Sequence, residues 1–157
     1  MATFVLVHGG WHGGWCWKRV TPHLQAAGHA VYAPTLTGLG ERSHLASPEI
    51  NLSTHIQDIL NVLTYEDLTD VVLVGHSYSG MVIAGVADRA PERVTRLVYL
   101  DAFVPEDGQS LQDIFRPPYG EGVNLEALLV DGWRLPYPFL ERPFGITSEA
   151  DAQWVLD

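Results

Sequence analysis

The sequence predicts an α/β fold: a parallel sheet with helices on both faces, followed by an irregular appended segment. Three observations carry this. Through residues 1–104 the patterns run strand, helix, strand, helix, strand, helix, strand, an order that parallel pairing through crossover helices satisfies. The strand segments are continuous apolar runs without polar alternation, as strands covered on both faces are. From Pro105 the texture changes to prolines, aromatics and acids with no period.

Taken in order, Phe4 to Val7 reads as a buried strand that ends in His8-Gly9-Gly10, a turn. Val20, Leu24 and Ala27 share helical spacing between Trp17 and Ala27, and Gly28 supplies a C-terminal cap. Ala30 to Ala33 is the next strand, stopped by Pro34. "TLTGLGERSHLASPE" (35–49) has no period and reads as a loop. Thr54 to Gln57 has capping-box spacing, with Ile56, Ile59, Leu60 and Leu63 on one helical face behind it. Asp70 to Gly75 is a β-branched strand, Gly80 to Arg89 a helix ending before Pro91, and Val94 to Leu100 a fourth strand. The organisation expected is a core over residues 1–104 and a lid over 105–157 that is not an independent domain. Six of the ten prolines fall in that lid, with Phe115, Tyr119, Trp133, Tyr137, Phe139, Phe144 and Trp154.

At 157 residues the chain is the size of one ordinary domain. Its formal net charge is −10, and ten acids against three arginines place −7 of that in residues 105–157. Such a balance argues against nucleic acid and against a polybasic membrane anchor. No apolar run reaches the roughly 20 residues that cross a bilayer, and "MATFVLVHGG" has no basic n-region of a signal peptide. Cys16 is the only cysteine, so no internal disulfide forms and a cytoplasmic location is expected. No cofactor is implied.

The chemistry concentrates at "VLVGHSYSG" (72–80), where an apolar strand turns into a helix through a serine. A sharp strand-to-helix turn strains the apex residue and thrusts its side chain clear of the sheet. Its neighbours two positions away must be small, because strand and helix nearly touch there. Gly75 meets the demand before Ser77; behind it Ser79 stands in the place of the usual glycine, with Gly80 next. Upstream, "HGGWHGGW" (8–15) follows the first strand. A glycine-rich loop leaves backbone N–H groups uncovered to meet a developing oxyanion, together with the amide after the serine. A dinucleotide reading of "GLGERS" fails, since neither a helix nor a ribose-binding acid follows as required. A metal reading of His8 and His12 at i, i+4 lacks the helix that would hold both imidazoles on one face.

On "FVLVHGGWHGGWCW", "TGLGERS", "VVLVGHSYSGM" and "LVYLDAFVPEDG", the chain resembles the α/β-hydrolase superfamily, and within it the plant-type esterase and hydroxynitrile lyase group with its bacterial relatives. The resemblance implies that Ser77 is the nucleophile and that Gly10 and Tyr78 donate to the oxyanion. Lyase relatives carry an acidic residue before the serine; His76 stands there and points to the esterase branch. His8, Gly9, His76 and Asp101 are supporting candidates, Asp101 because some α/β hydrolases keep their acid after that strand.

Serine needs a base, normally a histidine oriented by a carboxylate, and the family order is serine, acid, histidine. All seven histidines (8, 12, 23, 29, 44, 55, 76) precede Ser77. The expectation is therefore the first portion of a longer serine esterase, acting on a small neutral ester through an acyl-serine and weakly active or inactive by itself. A non-catalytic protein that keeps the pocket for a ligand or partner is the alternative. An uncovered fourth strand further predicts self-association through the sheet edge.

Overall fold

The computed structural model describes residues 1–115, 126–136 and 145–156. Chain contacts divide it into two compact units, Met1–Asn124 and Leu125–Asp157. Of the aromatic residues expected in a lid, Tyr119, Tyr137, Phe139 and Phe144 lie outside the described residues.

The first unit is built on a four-stranded sheet. Its strands are β1 (Thr3–Val7), β2 (Ala30–Tyr32), β3 (Val71–Ser77) and β4 (Val94–Ala102). Their spatial order is β2-β1-β3-β4, and every pairing is parallel. Three helices connect them: α1 (Thr21–Ala26), α2 (Leu52–Tyr65) and α3 (Ser79–Arg89). Because side chains alternate along a strand, β1 serves two cores. Val5 and Val7 face a cluster with Ile56, Ile59 and Leu63 of α2 and Val82, Ile83 and Val86 of α3. Leu6 turns the other way, onto Trp17 and Val74, with Leu24 of α1 packed alongside. Helices on both faces of a parallel sheet follow, as the strand composition predicted.

Local signals explain most boundaries. Pro22 sits in the first turn of α1, where its missing N–H costs no hydrogen bond, and Gly28 follows the helix with φ +83°. The start of α2 lies upstream of the predicted capping box. Asn51 is the N-cap, accepting from the amides of Ser53 and Thr54, while Thr54 Oγ1 accepts from the Asn51 amide. Thr54 is thus the third residue of the helix and the return partner of the cap. At the other end of α2, the Arg93 guanidinium donates to the carbonyls of Leu63 and Leu68. The predicted loop 35–49 contains a 3₁₀ helix, Gly40–Leu45, and a second one spans Gly14–Trp17. Both are too short to leave a period in the sequence.

β4 pairs with β3 on one side; on the other, no described strand pairs with it, and Val98 and Leu100 are exposed. Later in the sequence come the short helices α4 (Leu111–Phe115) of the first unit and α5 (Glu149–Leu156) of the second. Among the described residues, no helix is long and apolar enough to cross a membrane.

At the β3–α3 junction two glycines leave no room for a side chain. A Cβ on Gly75 would stand 2.7 Å from the Ser79 carbonyl oxygen, and one on Gly80 would stand 1.8 Å from that of Phe103. Backbone, unlike a flexible side chain, cannot yield locally. Gly80→Ala is therefore expected to lower stability by about 3 kcal/mol or more. A urea unfolding midpoint equal to that of the parent chain would show that the junction has slack the structure does not contain.

Candidate active site

β3 delivers Ser77 at its C-terminal end, and α3 starts two residues later. Ser77 has φ +54°, the left-handed region, and its side chain is half-exposed. Such a conformation costs a non-glycine residue of order 1–3 kcal/mol and persists only where surroundings over-determine it. Here they do. The Ser77 carbonyl accepts from the Phe103 amide at 3.1 Å, and the glycines at 75 and 80 admit the neighbouring backbone. Opposite this junction the register shifts between His76 and Ser77: His76 pairs with Leu100 and Ser77 with Ala102. Asp101 is the extra residue, exposed and at φ +45°, a bulge at the sheet rim.

The glycine-rich loop after β1 comes to the same place. A Cβ on Gly9 would lie 3.0 Å from Ser77 Cβ and 3.1 Å from His76 Nδ1, so the loop backbone packs directly on the serine. His12 Nδ1 donates to the Gly10 carbonyl at 2.8 Å, and Trp11 takes φ +63°, which together turn the chain after Gly10. Among the described residues, no acceptor engages the Gly10 amide or the Tyr78 amide. Of the predicted site residues, Ser77, Gly9, His76, Tyr78 and His8 are thus brought together, Gly10 follows on the loop, and Asp101 sits at the adjoining rim.

Two of the histidines here are structural. His8 is fully buried, and both ring nitrogens are used: Nδ1 donates to the Gly9 carbonyl at 2.7 Å, while Nε2 accepts from the Leu36 amide at 3.0 Å. That ring has no atom left for a metal or a substrate. His55 of α2 is likewise committed, donating from Nε2 to the Thr37 carbonyl and accepting at Nδ1 from the Tyr78 hydroxyl, each at 2.9 Å. Burial lowers the proton affinity of both. It also raises that of the Tyr78 phenol, which stays neutral. His76 is lowered too, by burial first and then by His12, while the Asp101 carboxylate acts in the opposite direction. Cys16 is held as a thiol, burial raising it to about 12. No group of three or more His, Cys, Asp or Glu among the described residues is arranged to hold a metal ion.

Sequence reasoning passed over one network. Asp58 Oδ2 accepts from the Thr37 amide at 2.7 Å and Oδ1 from the Thr37 hydroxyl at 2.8 Å. Arg42 donates to the Thr35 carbonyl at 2.8 Å and lies 3.8 Å from Asp58. Together with His55 these groups tie the 35–42 segment to α2 and to Tyr78. Part of the signal was present in the sequence: His55 borders the apolar face of α2, while Asp58, three residues on, lies off that face.

A pH response follows from His8. Its pKa is pushed from an ordinary 6.5 down to about 4, so between those values the unfolded chain holds the proton that the folded chain refuses. Stability contributed by the neutral ring is complete above about 6.5 and is lost as the pH falls toward about 4, roughly 3 kcal/mol in all. The urea midpoint should drop over that window, and His8→Asn, which keeps a donor but no titrating ring, should flatten the profile. An Asn variant with the full parental pH dependence would assign the effect elsewhere.

Comparison with known proteins agrees with this geometry. The model of the alpha/beta hydrolase family matches residues 4–157. A carbendazim hydrolyzing esterase from Nocardioides sp. (strain SG-4G) is 59% identical over 111 residues, which is 71% of this chain and 46% of the relative. Methylesterase 2 of Arabidopsis thaliana is 34% identical over 132 residues, 83% of this chain and 48% of the relative. Among solved structures, an extracellular alpha/beta-hydrolase from a Paenibacillus species superposes with a TM-score of 0.70 at 34% identity, covering 76% of this chain and 48% of that one. Polyneuridine aldehyde esterase gives 0.63 at 33% identity, over 73% and 46%. The chain spans about half the length of these relatives. From the left-handed serine between strand and helix to the match along nearly its whole length, the chain belongs to the alpha/beta hydrolase family.

Proposed function

We propose that this chain carries the nucleophile and the charge-stabilising amides of a carboxylic-ester hydrolase. The observation that carries the reading is Ser77 at φ +54°, half-exposed, with the Gly9 backbone packed against it. Ser77 Oγ attacks the ester carbonyl carbon, and the carbonyl oxygen takes negative charge facing the amides of Gly10 and Tyr78. The alcohol then leaves, and water hydrolyses the acyl-serine. The names of the relatives, a carbendazim hydrolysing esterase and a methylesterase, support small esters as substrates. A net charge of −10 favours neutral ones over anions. Residues 105–157, rich in proline and aromatics, are assigned as a lid segment.

The serine proton needs an acceptor. His8 and His55 have both ring nitrogens engaged, and no histidine follows Ser77 in the sequence. Without the triad histidine, a serine hydrolase keeps roughly 10³–10⁴ of acceleration over water, from binding and the oxyanion hole. The 157-residue chain is therefore expected to turn over 4-nitrophenyl acetate slowly, and Ser77→Ala should remove that activity. Turnover indifferent to the substitution would end the esterase reading. A protein that retains the pocket to bind a ligand is the second reading, since neither His8 nor His55 has a ring nitrogen free to take the serine proton. Ester binding that survives Ser77→Ala, with no turnover by either form, would establish it.

The open side of β4 supports association of two copies through this edge. Sedimentation should then show a concentration-dependent dimer that Leu100→Lys shifts to monomer; a parent chain monomeric at all concentrations would dismiss the interface.

A further inference from the structure

Ser79 occupies the position where the elbow motif usually has glycine, and smallness alone does not account for a hydroxyl there. The residue is fully buried, at the first position of α3. Its Oγ donates to the carbonyl oxygen of His8, 71 residues away in sequence. His8 is the residue that leads from β1 into the glycine-rich loop, and its ring ties that loop onward to the Gly9 carbonyl and the Leu36 amide. Gly9 in turn packs on Ser77 Cβ. The contacts therefore close a short circuit: Ser77 to Ser79 along the chain, Ser79 to His8 by hydrogen bond, His8 to Gly9 along the chain, and Gly9 back to Ser77 by packing. Gly10 is the next residue out from that circuit.

We propose that Ser79 is a positioning residue, whose hydroxyl fixes the loop bearing the Gly10 amide to the elbow bearing Ser77. This deepens the esterase reading and rests on it. Strand pairing holds β1 beside β3 only as far as Val7 against Gly75. Beyond that point the loop leaves β3, and the Ser79 hydroxyl bonds it directly to the elbow. A glycine in its place would restore the usual motif yet remove the bond. Motif matching alone would have glycine serve as well or better at this position.

The test uses Ser79→Gly and Ser79→Ala in the full chain. Both only remove atoms from a buried site, and alanine keeps helix propensity at that position. Two measurements are made. Single-turnover acylation of Ser77 by 4-nitrophenyl acetate, followed by mass spectrometry over a range of ester concentrations, should fall about tenfold in limiting rate with half-saturation changed less than twofold. Exchange of the Leu36 amide, whose acceptor is the His8 ring, should accelerate at least fivefold. Unchanged exchange in both variants overturns the tether. Faster exchange with unaltered acylation overturns its positioning role, as does a loss confined to half-saturation. Ser77→Ala is run alongside: acylation that persists in it marks failure of the esterase reading, while Leu36 exchange still decides whether Ser79 holds the loop.

Discussion

The structure turns on one backbone angle, the positive φ of Ser77. No L-residue settles there without compulsion, and the compulsion comes from both sides of the junction. β3 is held in register by β1 and β4, so its direction is fixed up to the last residue. α3 is held by Val82, Ile83 and Val86 in the core beneath α2. The chain must pass from one to the other within the space of a single residue. The absence of side chains at 75 and 80 lets the backbones meet. Relaxing the serine would mean moving a helix off a core, which costs far more than the strain it would relieve.

That same economy explains the polar groups nearby. A loop leaving the end of a sheet strands backbone carbonyls and amides in a dry place, where each needs a partner. The imidazoles of His8 and His55 supply donor and acceptor together, which a carboxylate or an ammonium does not. Both roles require the neutral ring, and burial enforces it. His8, at the head of the glycine-rich loop, and His55, on α2, thus serve as neutral cross-braces.

How much of this was legible in the sequence depended on the range of the forces involved. The four strands were visible because β-branched apolar runs are local, and the elbow because Gly75, Ser77 and Gly80 lie within six residues of one another. The cap of α2 was displaced by one turn: Asn51 and Thr54 are both good caps at the right spacing, and only the backbone shows which is first. His55 carried no role of its own in the linear sequence, since its partners, Thr37 and Tyr78, lie 18 and 23 residues away. Ser79 was judged by size alone, because nothing local reveals that its hydroxyl meets residue 8. Side chains whose meaning is a distant partner are the ones a linear reading undervalues.

The hydrogen bonds and packing that hold Ser77, His8 and Gly9 join residues 8–103 of the first compact unit. Geometry and proton transfer are therefore separable in this molecule. On the esterase reading, the direction of the serine and the facing of the amides are set by sheet, helix and buried imidazoles, without help from a base. A base is a different kind of requirement: it needs one nitrogen at hydrogen-bond distance, and contributes little to the packing that holds the serine. Triad components act as a unit in rate, since losing one nearly forfeits the others, yet they need not act as a unit in folding. On the esterase reading, a site of this kind is fully formed and almost idle. Its activity is then governed by the arrival of a single imidazole, with no rearrangement of the elbow required.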